Sequence, residues 1–140
     1  VKTMISPAEY VRLEPYLDIK GKLPHSEVLS ALCRADFSVL LRDSEARYAQ
    51  AGFPTKVIES LSAGVPMICN YSSDLKDFLI DGENALIVQS LSADSFATVL
   101  KQAIALSTIE KDKMSVAARQ CAESRFNIES YRAEWESILL

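Results

Sequence analysis

Lys56 and Glu59 stand in the run AGFPTKVIESLSAGVP, residues 51–66, at spacing that suits a phosphate and a pair of hydroxyls. The run predicts a helix over residues 55–63, opening beside Gly52 and Pro54 and stopping at Gly64 in a left-handed turn. Backbone N–H groups at a helix start lack intrahelical partners, and the dipole is positive there. A cation in that first turn is unfavourable for stability but well placed for an anion, so Lys56 and the helix mouth read as a phosphate site. Gly52 lets the backbone come close to a ligand. Glu59 follows four residues after Thr55 on the same face, opposite Val57, Ile58 and Leu61. Spacing alone favours a solvated glutamate. The functional reading is a carboxylate accepting hydrogen bonds from paired hydroxyls, as a ribose offers.

These residues need a frame that brings a helix start to the end of a strand. Four short apolar runs, LDIK (17–20), FSVLLR (37–42), PMICN (66–70) and ALIV (85–88), predict strands. Between them lie helical patterns: Val28, Leu29, Leu32 and Cys33 over 25–35, the helix at 55–63, and SSDLKDFLIDG (72–82), opened by a serine and closed at Gly82. Such alternation predicts an α/β fold, a Rossmann-like parallel sheet with helices on both faces. Residues 1–16 are left open between strand and helix. After residue 92 the pattern is helical, with Ser92, the Ser107/Glu110 capping box and Asn127 as starts. The chain reads as one domain, 1–140, with a helical C-terminal tail.

Ligands in such sheets bind beyond the strand carboxyl ends. The loop DSEARYAQAGFP, residues 43–54, is the longest there, and Tyr71–Ser72–Ser73 is a weaker second mouth of the same kind.

Several functions are disfavoured. The net charge is −4, against broad attraction to nucleic acid or anionic membrane. No apolar run approaches the roughly 18 residues of a membrane span, and no signal pattern opens the chain. Val1 stands first in place of methionine, so a piece of a longer protein is expected. Cys33, Cys69 and Cys121 read as reduced core thiols of a cytosolic protein. With one histidine, His25, and no CxxC, neither a histidine/cysteine metal site nor a hydrolase triad is expected. GxGxxG and GxxxxGK[ST] are absent, which argues against a dehydrogenase half and a P-loop NTPase. Asp36 precedes its strand, against a phosphoryl-accepting receiver.

AGFPTKVIESLSAGVPMICN resembles the donor-site segment of the family-4 retaining glycosyltransferases of GT-B fold, roughly E-G-F-G-x-x-x-x-E-A-M-A-x-G-x-P-V-I. LDIKGKLPHSEVLSALCRADFSVLLR before it, SSDLKDFLIDGENALIV after it and FNIESYRAEW at the end resemble the family's flanks in the same order. The resemblance implies part of a GT-B C-terminal domain, the half that binds a nucleotide-diphosphate sugar. The acceptor, a glycan or lipid-linked saccharide, would meet an N-terminal half not in this chain. That chain segment would also carry any membrane contact of an otherwise cytoplasmic enzyme of polysaccharide biosynthesis. No cofactor and no metal are implied; the nucleotide sugar is a substrate.

Carried over by position, Glu59 binds the ribose, Gly52, Phe53, Pro54, Thr55 and Lys56 lie beside diphosphate and sugar, and Gly21, Lys22 and Leu23 pass the nucleobase. The family's E-x7-E pattern puts a sugar-holding glutamate where this chain has Ala51, and Pro54 replaces a glycine. Asp43 and Glu45 are candidate substitutes for that carboxylate. The expected parent activity is retaining transfer of a hexose-type sugar, with the isolated chain binding donor and transferring nothing. Two alternatives stay open: a degenerate nucleotide- or partner-binding module, and a nucleotide-sugar epimerase of the same architecture.

Overall fold

A computed structural model describes residues 6–50 and 52–139. Three of the four apolar runs form strands: β1 (Ser38–Leu40), β2 (Met67–Cys69) and β3 (Ala85–Ile87). They pair in parallel in the order β1-β2-β3, with Ser38 opposite Met67 and Met67 opposite Ala85. Side chains alternate across a strand, and here both faces are covered. Met67, Cys69, Ala85 and Ile87 face one core with Val57, Leu61, Leu75, Leu79, Ala118 and Ala122. Ile68, Leu86 and Val88 face the other with Val99, Ala103 and Met114. Burying each large aliphatic contributes roughly 1.5–3 kcal/mol, so β2 and β3, buried throughout, anchor the sheet. The fold is α/β and Rossmann-like, as expected.

Helices α4 (Thr55–Ser62), α5 (Ala93–Ala105) and α6 (Thr108–Arg125) cover the sheet. Their local signals work as read. The Ser92 hydroxyl accepts from the Ser95 N–H, and Ser107 and Glu110 close a reciprocal capping box. Gly64 ends α4 at φ +69°, where an added Cβ would meet Ser115 Oγ at 3.3 Å. Ser115 Oγ donates to the Gly64 carbonyl at 2.7 Å and Arg119 donates to that of Ser62, tying α4 to α6. The buried stripe of α4 is Val57, Ser60 and Leu61, so Ser60 replaces the expected Ile58. Its hydroxyl donates to the Val65 carbonyl at 2.8 Å and lies 2.6 Å from that of Ser38, which satisfies it between helix and strand.

Three expectations are corrected. LDIK (17–20) is not a strand among the described residues: Leu17 has extended backbone, but Leu17 and Ile19 are exposed and no strand lies alongside. An extended segment without a ladder partner is not a strand. The stretch 72–82 forms only a three-residue 3-10 turn, Leu75–Asp77, not a helix. Ser73 turns left-handed at φ 52°, and the Asn84 amide holds the Ile80 N–H and the Phe78 carbonyl, drawing the chain into a loop. Cys33 is exposed, because α2 (His25–Leu32) buries no residue. Cys69 is buried, Cys121 is half-buried with its thiol donating to the Phe78 carbonyl, and all three thiols are free. The last helix, α7 (Glu129–Leu139), follows Asn127, whose amide donates to the Glu123 carbonyl in α6. The open segment at the start becomes α1 (Pro7–Leu13) with a 3-10 turn, Glu14–Tyr16.

Candidate functional site

α4 opens at the carboxyl end of β1 after a loop containing a short helix, α3 (Arg47–Gln50). Pro54 occupies its cap position and supplies no side-chain bond, and no acidic residue stands in the first turn. Val57 N–H returns to the Pro54 carbonyl at 3.0 Å. The N–H groups of Thr55 and Lys56 belong to the unpaired set at the helix start. Thr55 and Lys56 are exposed, so this mouth opens to solvent.

Lys56 and Glu59 do come together. Three residues apart, they line one cavity of about 210 Å³ with Val28 and Leu32 of α2, Ser38 and Val39 of β1, and Met67. Glu59 is half-buried, and no ion pair among the described residues engages it or Lys56. A cation and a carboxylate thus share an otherwise mainly apolar hollow. Such a pair suits a ligand with an anionic end and a hydroxyl-bearing end.

The other expected residues fall in different places. At Gly52 an added Cβ would meet nothing within 4 Å. Nothing in the protein itself demands a glycine there. Phe53 is half-buried, and its ring packs edge-on to Phe78 at 5.1 Å and against Phe126 at 5.5 Å, while those two stack at 4.9 Å. Arg125 lies over the Phe78 ring at 4.9 Å. Phe53 is therefore a peg that fastens the helix mouth to α6. Gly21 turns left-handed at φ +70° ahead of α2, and neither it, Lys22 nor Leu23 lines the cavity. Asp43 and Glu45 are exposed, and Asp43 Oδ1 accepts the Glu45 N–H at 3.1 Å, so Asp43 shapes its own turn. Ala51 lies outside the described residues. At Tyr71–Ser73, the weaker second mouth, only the 3-10 turn Leu75–Asp77 follows the strand, so the α-helix start expected there is missing; Ser72 is buried and Tyr71 exposed.

Arg42 was passed over in the sequence. Its guanidinium donates to the Tyr48 carbonyl at 2.6 Å and the Gly52 carbonyl at 3.4 Å, and it lies over the Tyr48 ring. Its backbone is gripped in turn by the buried Asn70 amide, at 2.9 Å to the N–H and 2.7 Å to the carbonyl. One side chain thus draws both ends of the 48–52 segment toward β1. It is the first charged residue past the strand that leads into the loop, but backbone acceptors leave no pattern of residue types that would announce this role.

Among the described residues no group of three or more His, Cys, Asp or Glu side chains is placed to hold a metal. No helix among them is long and apolar enough to cross a membrane. His25 is exposed at the start of α2.

A family model described as glycosyl transferases group 1 matches residues 1–121. Among curated proteins, the putative colanic acid biosynthesis glycosyltransferase WcaL of Escherichia coli (strain K12) is similar, 25% identical over 131 residues. That alignment covers 94% of this chain and 32% of WcaL, so the chain spans about a third of the length of this relative.

Proposed function

The chain belongs to the group 1 glycosyltransferases, and from that premise we propose that it forms part of the donor-binding half of a retaining GT-B enzyme. The ligand is a nucleotide-diphosphate sugar, and the parent reaction moves its hexose-type sugar to a glycan or lipid-linked acceptor. The observation that carries this reading is the joint lining of one cavity by Lys56 and Glu59 beside the α4 start. The diphosphate meets the N–H groups of Thr55 and Lys56 and the Lys56 ammonium. Glu59, one turn further in, accepts hydrogen bonds from the ribose hydroxyls. The open space at Gly52 suits an approaching ligand.

The chemistry asked of these groups is electrostatic. As the sugar–phosphate bond breaks, negative charge grows on the leaving diphosphate. A helix start and an ammonium fixed in advance stabilise that charge more in the transition state than in the bound donor. Arg42 and Phe53 act through position, holding the loop and helix mouth where these donors face outward. No residue of this chain is needed as a base in this scheme. The 140-residue chain by itself binds donor and transfers nothing.

The test is calorimetric titration of UDP, GDP and ADP against the chain and its Glu59→Gln variant, repeated with the 2′- and 3′-deoxy nucleotides. A charge-assisted bond contributes roughly 1.5–3 kcal/mol, so the variant should bind about ten- to a hundredfold more weakly. The deoxy nucleotides should lose affinity in the parent and little more in the variant. Equal losses on deoxygenation in both proteins would remove Glu59 from the ribose.

A further inference from the structure

A second cavity, of about 330 Å³, opens where all three strands end. Tyr71, Gln89, Ser90, Leu91, Asn70 and Ser44 line it with Ile87 at the end of β3 and Val88 just past it, and none of these carries a formal charge. We propose that this cavity is a binding site for a neutral saccharide unit.

Its place is that of ligand sites in parallel sheets generally, outside the strand carboxyl ends. Its volume lies within the ordinary range for small-molecule sites, about 300–1,000 Å³. What separates it from the Lys56–Glu59 hollow is charge. That hollow offers one group of each sign; this one offers amides, hydroxyls and a ring. A pyranose presents the same mixture, hydroxyls that both donate and accept and a patch of C–H groups.

The walls are set in advance. The Asn70 amide is committed at both ends to the Arg42 backbone, so it forms a fixed floor. The Tyr71 hydroxyl donates to the Leu79 carbonyl at 3.2 Å, which holds the ring in place while leaving the residue exposed. A fixed ring meets the C–H patch of a sugar at little cost in side-chain freedom. An ordinary phenol is already protonated at neutral pH; burial, and then the nearby Asp81 charge, raise the Tyr71 pKa further. Ser90 is held from both sides: its N–H donates to Ser95 Oγ at 3.3 Å and its hydroxyl lies 3.2 Å from that of Ser92. Gln89, exposed beside it, brings a carbonyl oxygen and an NH₂ on one side chain.

The inference uses the glycosyltransferase reading to choose its probes, and its outcome is scored at different residues. The probes are methyl glycosides of glucose, galactose, mannose and N-acetylglucosamine, then UDP, UDP-glucose and uridine, followed by amide chemical shifts of the labelled chain. At least one glycoside or UDP-glucose should move the Tyr71, Gln89 and Ser90 amides saturably. Gln89→Ala should weaken that response about five- to tenfold, the worth of one hydrogen bond, without changing the thermal midpoint. If free glycosides act with UDP already bound, the saccharide is an acceptor's. If only UDP-glucose acts, it is the donor's own. No response to any saccharide, an equal response to uridine, or an unweakened response in Gln89→Ala would overturn the proposal. UDP moving the Thr55–Val57 amides reports separately on the diphosphate site, so either reading can fail alone.

Discussion

Replacing Phe53 by alanine separates a peg from a ligand contact. Deleting a fully buried phenylalanine costs about 3–5 kcal/mol. Phe53 is half-buried and meets two rings. Half of that burial loss is about 2 kcal/mol, and lost aromatic geometry adds about 0.5–1.5 kcal/mol per ring pair when contacts are ideal. Only the contact with Phe78, at 73°, has a well-formed edge-to-face geometry, so one such contribution is counted. The expected loss is about 2.5–3.5 kcal/mol, or a fall in Tm on the order of 5–14 °C at about 2–4 °C per kcal/mol. Phe53→Leu restores most of the apolar contact and should lose about 1 kcal/mol. Urea unfolding followed by circular dichroism measures both, and UDP titration on the same samples measures the site. Both variants should weaken UDP binding in the order of their stability loss, because the ring holds the α4 start in place. A Phe53→Ala protein within about 0.5 kcal/mol of the parent that nonetheless loses UDP would refute the peg and return the ring to the ligand.

Lys56→Ala should weaken UDP far more than uridine, by a margin that shrinks as salt rises. Removing a cation from a helix start should also stabilise the fold by about 0.3–1 kcal/mol, and a loss of stability with unchanged UDP preference would make Lys56 structural. The three thiols should react with a disulfide reagent in the order Cys33, Cys121, Cys69, following their exposure. Burial, and then the Asp81 charge, push Cys69 up to about 12; its contribution to stability is whole below the ordinary thiol pKa and declines as pH rises toward 12, a decline that Cys69→Ala should remove from alkaline unfolding curves. A Cys69 that reacts as fast as Cys33 in the folded chain would contradict the buried placement.

Local signals were readable wherever the physics is local. The Ser107/Glu110 box and the Ser92 cap involve residues three apart, and Gly64 answers a need of its own backbone. PMICN and ALIV are continuous apolar runs, which is how a strand covered on both faces looks. LDIK has a comparable look but depends on a neighbour to pair with, and pairing is not written in four residues. The 72–82 stretch misled differently: Leu75 and Leu79 sit at helical spacing, and a single turn bonded from Leu79 N–H to the Leu75 carbonyl at 2.8 Å uses that spacing completely. At the site, Lys56 and Glu59 were legible because one helix carries both. Phe53 was not, since Phe78 and Phe126 come from distant segments and only packing reveals them. The same holds for Arg42, whose acceptors are backbone carbonyls of no particular residue type.

The Lys56–Glu59 cavity has two unlike walls. α4 is rooted in the core through Val57 and Leu61, both fully buried, and through the Ser60 bonds. α2, which supplies Val28 and Leu32, buries nothing, and Val28 is itself exposed. Pressing α2 closer would bury more apolar surface but would also strip water from the Glu59 carboxylate. A carboxylate without partners in such a place is costly. Ribose hydroxyls would supply those partners, so nucleotide binding and the seating of α2 should favour each other. Hydrogen exchange then gives an asymmetric outcome. With saturating UDP, the amides of α2 should gain protection, while those in the last turn of α4, already held by the core and α6, should change little. In Glu59→Gln, where the cost of stripping water is smaller because the charge is gone, α2 should be better protected without ligand and gain less on binding. Equal protection gained along both helices, or none in α2, would mean that the cavity is rigid and that α2 takes no part in holding the nucleotide.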